Sequence, residues 1–327
     1  MPALMLRLMV MGVRQVFESL FDNVSGYVVT ISLKITPLSD VILPPMSSRF
    51  LKFLVFESRC FADIRDVVGS RASFKGVTLF ALRRGVRRLY STTDSQSLLV
   101  VRAGEVLSGR LAVYSRDFPH LLALSGCEDV VNFHGSSVAY SIEEVIVEDV
   151  STLSLGITRG SIFKLIIHTP LLLPTKLMTP PPLTGSKLIS SIKSGYRLLP
   201  TPSYILSAAC REWLGIVKNE KVEGHIAPYV VGRISDIAVH EIDANIKPVT
   251  VVYGKNEKGK PRLVRGVIGY IAYKLESKKL EKVVDKLLAF TTRVGLGKSR
   301  SIGFGEVEIK PFNTTYNSHR KPTNTPT

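Results

Sequence analysis

Cysteine is scarce in this chain of 327 residues, and the spacing of its cysteines matches neither a cross-link nor a metal site. Cys60, Cys127 and Cys210 form neither an even set nor a CxxC pair, so we expect no disulfide and no zinc site and interpret each as a buried thiol. No group of Asp, Glu, His and Cys has metal-ligand spacing either. The scarcity excludes a disulfide scaffold and fits a reducing cytoplasm.

Long apolar runs are also missing. The first residues are apolar, but Arg7 and Arg14 interrupt them, the stretch is too short to span a bilayer, and no cleavage site of small residues follows. We therefore expect no membrane segment. We interpret residues 1–26 as an N-terminal extension, for which a misplaced start codon is one explanation.

Acidic residues are outnumbered, with 27 Asp and Glu against 43 Lys and Arg, which gives a formal net charge of +16. Such an excess favours a nucleic-acid or anionic-surface partner. The positive residues are spread over the chain, which suits an extended groove better than an appended basic arm. A hydrophobic content of 45% excludes a disordered basic tail, and the length predicts two domains.

Two successive stretches repeat one order of secondary structure. Residues 28–35 alternate at period two, as in a half-buried strand, and an apolar stripe predicts a helix over residues 49–60 with Ser47 or Ser48 as its cap. The order strand, helix, strand, strand, helix, strand predicts an α+β, ferredoxin-like (RRM-like) domain with an antiparallel sheet over residues 27–155. A second copy is predicted over residues 156–312, with a helix at 203–213 and a strand at 234–239. Residues 313–327 lack core-forming residues and are predicted to be disordered.

The stretch Gly295-Leu-Gly-Lys-Ser-Arg-Ser-Ile-Gly-Phe-Gly305 combines glycine with positive charge. Glycines allow positive φ and close approach, and exposed amides beside fixed cations suit a polyanion. It is no mononucleotide loop, because a Walker loop needs glycine where Thr292 stands and a dinucleotide fingerprint needs one where Arg300 stands. A plain hairpin turn is the alternative. We predict that the loop binds RNA through Gly295, Gly297, Lys298, Ser299, Arg300, Gly303 and Gly305.

This loop closely resembles the C-terminal signature of the CRISPR-associated repeat endoribonucleases, the RAMP-superfamily proteins that cut the long CRISPR transcript into guide RNAs. Three further stretches resemble the same family: VILPPMSSRFLK from Val41, YRLLPTPSY from Tyr196 and RGVIGY from Arg265. They lie in the family's order across residues 27–312. The resemblance is to the archaeal branch of these nucleases.

The resemblance implies tandem ferredoxin-like domains and cleavage of precursor transcripts within CRISPR repeats. It also implies attack by the upstream 2′-hydroxyl, which leaves a 2′,3′-cyclic phosphate and a 5′-hydroxyl without a metal or cofactor. The implied partners are CRISPR repeat RNA and either a second copy of the chain or a CRISPR interference complex, with no membrane, in the cytoplasm. A non-catalytic RAMP subunit of an interference complex and a generic RRM-like RNA binder are the alternatives.

Many members of that family carry a general-base histidine on or near the first helix, but residues 47–60 contain none. His168, His225 and His240 fall in the second domain and His319 in the tail. His120 and His134 fall in the first domain but far along the chain from the helix, and we interpret both as structural. The sequence therefore predicts that cations carry the chemistry.

The predicted catalytic cations are Arg49 and Lys52, which lie one helical turn apart, and Lys75, which resembles a basic position of the family. Fixed cations stabilise charge that develops on the phosphorane and the leaving oxygen. Because lysine and arginine are poor bases at neutral pH, we expect a slow enzyme. Arg262 and Arg265 are predicted to hold backbone phosphates. The alternatives are a solvated helix face for Arg49 and Lys52 and a plain surface strand for Arg262.

Overall fold

We describe the fold from a computed structural model, which describes residues 12–70, 72–94, 98–117 and 119–312. The first helix, α1 (Val13–Ser19), precedes the first domain. That domain contains β1 (Tyr27–Pro37), β2 (Val41–Leu43), α2 (Ser48–Glu57), a 3-10 turn (Arg59–Ile64), α3 (Arg65–Gly69), β3 (Val77–Leu79), β4 (Arg83–Arg84), β5 (Arg87–Arg88), β6 (Leu99–Val101), β7 (Leu107–Ser115), α4 (Pro119–Leu122), β8 (Glu128–Phe133) and β9 (Ser136–Asp149).

The main sheet of the first domain has the strand order β5-β4-β7-β1-β9-β8, and β3 also pairs with β7. The neighbours pair antiparallel, with β1 between β7 and β9. With β3, β7 and β9 as the second to fourth strands, this is the predicted ferredoxin-like order. The sequence did not predict β8, which pairs with β9 at the edge of the sheet, and it predicted a basic turn where β4 and β5 form a short hairpin. Strand β2 pairs separately with β6.

The second domain has the same kind of sheet. Its elements are β10 (Ile162–Leu171), β11 (Leu173–Pro174), α5 (Lys187–Ser191), β12 (Tyr196–Arg197), α6 (Pro202–Trp213), α7 (Ile226–Ala238), β13 (Val239–Lys255), β14 (Pro261–Leu275), α8 (Glu281–Val294) and β15 (Val307–Pro311), with 3-10 turns at Thr175–Met178, Pro181–Leu183, Lys278–Leu280 and Arg300–Ile302 and a π turn at Leu214–Lys218. The antiparallel order β13-β14-β10-β15 is again ferredoxin-like. The small strands β11 and β12 pair separately.

Helices pack on one face of each sheet. In the first domain the inward residues of β1, including Ile31 and Leu33, pack with Phe50 and Leu54 of α2. In the second domain α6, α7 and α8 form the core with β10 and β14. The predicted strand at 234–239 is wrong: residues up to Ala238 belong to α7. The β-branched residues Ile234, Ile237 and Val239 alternate with small and polar residues, a short pattern that fits a strand or a helix.

The described part of the N-terminal segment packs against the second domain. Val16 and Leu20 are buried in that core, and the indole of Trp213 donates a hydrogen bond to the Leu20 carbonyl at 2.7 Å. Phe21 contacts the Trp213 ring edge to face, at 5.3 Å between centroids. The segment is therefore packed through Val16, Leu20 and Phe21, while 1–11 and the predicted tail 313–327 lie outside the described residues. Among the described helices, none is long and apolar enough to cross a membrane.

The expectation of three separate thiols is wrong. Cys60 and Cys127 form a disulfide across a separation of 67 residues, with their Cα atoms 6.1 Å apart. Cys60 follows α2, and Cys127 precedes β8, the strand that the sequence did not reveal, so the spacing in sequence could not show that the two meet. Cys210 is a free, buried thiol, as predicted, and burial raises its pKa.

Removal of the disulfide should lower the stability of the protein. Closing a loop of this length accounts for about 4 kcal/mol of unfolding free energy in the chain-entropy description. We expect the double variant Cys60→Ala and Cys127→Ala to melt well below the wild type in differential scanning calorimetry. A reductant should lower the wild-type melting temperature to that of the variant and leave the variant unchanged. Identical melting of reduced and oxidised wild type would contradict the disulfide.

Candidate active site

The start of α2 and the glycine-rich loop lie against each other. The Ser48 hydroxyl donates a hydrogen bond to the Ile302 carbonyl at 2.7 Å. Gly303 has φ +94°, and a Cβ added there would lie 2.5 Å from the Ser48 hydroxyl. Ser47 does not cap α2 as predicted, because its hydroxyl donates to the Leu89 carbonyl and accepts from the Leu82 amide. Both serines thus fix the helix to its surroundings.

Arg49 and Lys52 are exposed on α2 and make different contacts. The Arg49 guanidinium approaches the Tyr253 carbonyl of β13, with Nη1 3.4 Å from the oxygen. The Lys52 ammonium lies 5.7 Å from the centre of the Phe56 ring. Neither cation has a carboxylate partner within the described residues. Both therefore keep their charge available to an anion.

Lys75 lines a groove between the domains, a cavity of about 510 Å³ that it shares with Lys298 and Ser299 of the loop. Its ammonium donates to the Val68 carbonyl at 3.2 Å. Burial, and next the charge of Lys52, lower the pKa of Lys75. The positive charge of Lys52 thus disfavours the charged form of Lys75, and a bound anion would offset that effect.

Arg211 is a cation of this groove that the sequence did not single out. It lies near the end of α6, lines the cavity beside Lys298, and is half-buried. Burial lowers its pKa, while Glu223 and Glu212 oppose that effect. The helical pattern could have placed Arg211 at the margin of the buried stripe, but only the packing of α6 beside the loop brings it into the groove.

Arg300 is placed differently from the prediction. Its side chain is 6% exposed, and its guanidinium forms an ion pair with Glu212, with 2.5 Å between Nη2 and Oε2. Nη1 donates to the Thr78 hydroxyl at 3.0 Å and to the Val294 carbonyl at 2.9 Å. Burial raises the pKa of Glu212 and the charge of Arg300 opposes it. These contacts use the guanidinium inside the protein, so Arg300 is a structural residue.

The glycines of the loop also serve packing. The amides of Gly295, Gly303 and Gly305 donate to the carbonyls of Thr291, Arg300 and Pro170, so they are not the exposed amides that the sequence suggested. A Cβ at Gly297 would lie 2.7 Å from the Leu172 carbonyl oxygen, and one at Gly305 would lie 1.9 Å from that of Leu296. RNA contact by these glycines stays a prediction. Exposed Lys298 and half-buried Ser299 remain accessible.

The hairpin of β13 and β14 brings two more cations towards α2. Arg262 pairs in register with Gly254 and Arg265 pairs with Thr250, and both arginine side chains are exposed. A Cβ at Gly254 would lie 3.1 Å from Nη1 of Arg49. Arg262 therefore lies on β14 directly opposite Gly254, the residue that follows the Tyr253 carbonyl contacted by Arg49. The structure places both arginines on the hairpin beside the helix, and their contact with phosphate stays a prediction.

The described histidines lie apart from Lys52 and Lys75, with one at the edge of the site. His134, at the β8–β9 turn, lines a cavity of about 400 Å³ with Arg49. His168 pairs with Glu308 at 2.9 Å, and burial lowers the pKa of His168. His225 accepts from the Ala227 amide at the start of α7, and His240 contacts the Ile237 carbonyl. The His120 side chain and His319 lie outside what is described.

A second cleft, of about 430 Å³, lies between the two sheets and is lined by Arg83, Arg88, Arg110 and Arg293. Glu306, only 3% exposed in its side chain, pairs with Arg88 at 2.9 Å and Arg110 at 3.5 Å. Arg293 pairs with Glu148 at 2.7 Å. Arg88, Arg110 and Arg293 are thus paired with carboxylates from distant parts of the chain.

Two family models match the chain. The Cas6 N-terminal domain matches residues 29–150, and the CRISPR-associated endoribonuclease Cas6 model matches residues 165–307. The chain is 28% identical over 282 residues to CRISPR-associated endoribonuclease Cas6 1 of Saccharolobus solfataricus, covering 86% of this chain and 95% of that protein. It is 27% identical to Cas6 2 of the same organism, with the same coverage.

Solved structures share the fold. A Cas6 product complex aligns with a TM-score of 0.57 and 16% identity over 87% of this chain and 100% of that chain. Thermus thermophilus Cas6 aligns with a TM-score of 0.56 and 15% identity over 87% and 99%. At these identities the likeness shows the arrangement of two ferredoxin-like domains.

Replacement of Arg300 should test its structural role. Arg300→Met leaves the Glu212 carboxyl buried without its partner, which should cost about 3–5 kcal/mol of unfolding free energy. Adding Glu212→Leu should recover much of that loss, since it removes the unpaired group. Lys298→Met, an exposed cation of the same loop, should change stability by about 0.5 kcal/mol or less. Urea unfolding measures all three, and Arg300→Met with the stability of Lys298→Met would contradict the buried ion pair.

Proposed function

The chain belongs to the Cas6 family of CRISPR-associated endoribonucleases, and on that premise we propose that it cuts precursor CRISPR transcripts within their repeats without a metal. The proposed catalytic cations are Arg49, Lys52 and Lys75. The observation that supports their joint action is the contact of α2 with the glycine-rich loop through Ser48 and Ile302. The loop lines the groove that also contains Lys75, and Arg49 and Lys52 lie on the helix that the loop contacts.

In the proposed reaction the 2′-hydroxyl upstream of the cut attacks the phosphorus atom. The P–O5′ bond breaks, and the products are a 2′,3′-cyclic phosphate and a 5′-hydroxyl. The 2′-hydroxyl gives its proton to solvent, and the leaving 5′-oxygen gains one. Negative charge develops on the phosphorane oxygens and on the 5′-oxygen, where fixed cations bind more tightly than to the ground-state phosphate.

Each cation has a distinct place in this proposal. Lys75 from the groove and Lys52 from α2 bind the phosphorane oxygens. Arg49 holds the adjoining phosphate from the side of the β13–β14 hairpin. Lys298 and Arg211 hold RNA in the groove, and Arg262 and Arg265 extend the phosphate contacts along the hairpin. Positioning supplies most of the rate, so turnover is slow.

The alternative is a non-catalytic RNA-binding subunit of a CRISPR interference complex. The observation that favours it is the absence of histidine from residues 47–60, which leaves no general base on the helix. Assembly as a homodimer or within such a complex is a prediction of the family resemblance. A cytoplasmic location is proposed from the transcript substrate alone, because the disulfide removes the argument from cysteine.

The double variant Arg49→Ala and Lys52→Ala should separate chemistry from binding. Removing a donor that stabilises the transition state lowers the rate by about a hundredfold or more. Affinity should fall much less, since other cations still hold the RNA. Single-turnover rates and filter-binding constants on one repeat RNA measure both quantities. Lys278→Ala with Lys279→Ala removes two exposed charges from the turn before α8 and should leave the rate unchanged.

Two outcomes would contradict this assignment of the helix cations. An unchanged cleavage rate would mean that the helix face is solvated and that catalysis lies elsewhere, with His120 and His134 as the next residues to test. Equal losses of rate and affinity would make Arg49 and Lys52 anchors for RNA. No cleavage by the wild-type protein, together with tight binding, would favour the non-catalytic subunit.

Metal dependence and salt dependence test the reaction and the interface. Cleavage should survive excess EDTA, and loss of activity restored by magnesium would refute the proposed mechanism.

If about five phosphates are contacted, log K should fall with log salt at a slope between about −3.5 and −4.5. A slope near zero would refute an interface built on these cations.

A further inference from the structure

The sheet of the second domain has a face that the proposed reaction does not use. On β10, Phe163, Leu165 and Ile167 point into the core, and the alternate residues Lys164 and Ile166 belong to the opposite face. Ile166 pairs in register with Tyr270 of β14. Tyr270 in turn pairs with Asn245 of β13. The central strands of this face therefore carry an aromatic ring, an amide and a cation side by side.

Lys164 connects two aromatic rings on this face. Its ammonium lies 3.9 Å from the centre of the Tyr270 ring and 4.3 Å from that of Phe312. The Tyr270 hydroxyl donates to an Asp243 carboxylate oxygen at 3.0 Å, which fixes the ring on the sheet. Tyr270, Phe312 and Lys164 are each half-buried, while Asn245 is exposed. The side chains are thus ordered by contacts within the face but accessible to solvent.

Within the described part of the chain, the charge of Lys164 has no carboxylate partner, unlike its neighbours Lys274 and Lys310. Lys310, opposite Lys164 on β15, pairs with Glu308 at 3.1 Å. Lys274 pairs with Glu276 at 2.5 Å. Among the described residues no Asp or Glu forms an ion pair with Lys164. An anionic group beside the two rings would supply the missing partner.

We propose that this face is a second RNA site, which binds the bases of a single-stranded segment of the substrate. The inference depends on the proposed function for the identity of the ligand. A base stacks on the Tyr270 ring in place of the Lys164 ammonium, which moves from the ring to the adjoining phosphate, and the Asn245 amide hydrogen-bonds to the base edge. None of these residues lines the groove of Lys75 and Lys298, so the second site adds affinity without taking part in cleavage.

The test uses a repeat RNA with a 2′-deoxy nucleotide at the cut, so that binding is measured without cleavage. Tyr270→Ala should weaken filter binding about tenfold, the usual effect of removing one stacking ring. Tyr270→Phe keeps the ring and should bind nearly as the wild type does. Tyr229→Ala removes a half-buried tyrosine from α7 and should leave binding unchanged. At saturating cleavable RNA, Tyr270→Ala should cleave at the wild-type single-turnover rate.

Lys164→Met provides a second test that keeps the ring and the fold of the strand. It should reduce the slope of log K against log salt by about 0.7, the value for one single-strand phosphate contact. Unchanged affinity of Tyr270→Ala, with the wild-type melting temperature, would overturn the proposal. Equal losses in Tyr270→Phe and Tyr270→Ala would also overturn it, because the hydroxyl and not stacking would then matter.

The outcomes separate this inference from the proposed function. Wild-type protein that binds the RNA in a Tyr270-dependent way but does not cleave it would refute the nuclease proposal and keep the second site. Wild-type protein that cleaves, with Tyr270→Ala and Lys164→Met both indistinguishable from it in affinity and salt slope, would refute the second site and keep the nuclease. A Tyr270→Ala protein that melts early would leave the decision to Lys164→Met.

Discussion

A buried guanidinium joins the parts of this protein that must meet. Arg300 contacts Glu212 on α6, the Thr78 hydroxyl on β3 and the Val294 carbonyl at the end of α8. Removing a charge from water is costly, and it is compensated only where a counter-charge and acceptors surround the group. The glycine-rich loop therefore has one position relative to both domains, and Lys298 and Ser299, which precede Arg300, are held at the groove.

Helix α2, which carries Arg49 and Lys52, is held at both ends by contacts with the rest of the protein. At its start, Ser48 bonds to the loop. Beyond its end, Ser58 bonds to Asp129 of β8 at 3.1 Å, and the disulfide of Cys60 ties the same segment to the turn before β8. These contacts fix the helix that carries the two cations, and cations fixed in this way need little rearrangement when a phosphate arrives.

Charge in the sequence is not the same as charge on the surface. Arg88 and Arg110 share Glu306, and Arg293 is paired with Glu148. Paired arginines have lost much of their attraction for phosphate, whereas Arg49, Lys52 and Lys164 have no carboxylate within reach among the described residues. The net charge of +16 predicted the kind of partner correctly for a family of ribonucleases. It could not indicate which cations are free to bind it.

The sequence by itself determined the two ferredoxin-like domains, because alternation and helical stripes are local and the burial they require is met in only a few ways. It also determined the family, through four stretches in the right order. It missed β8 and α7, whose short local patterns are ambiguous, and it missed the disulfide and the burial of Arg300, because those two depend on partners distant in the chain. Whether Cys60 meets Cys127, or Arg300 meets Glu212, is decided when the sheets and helices pack. Sequence records the chemistry of a side chain, whereas its availability depends on what the fold places beside it.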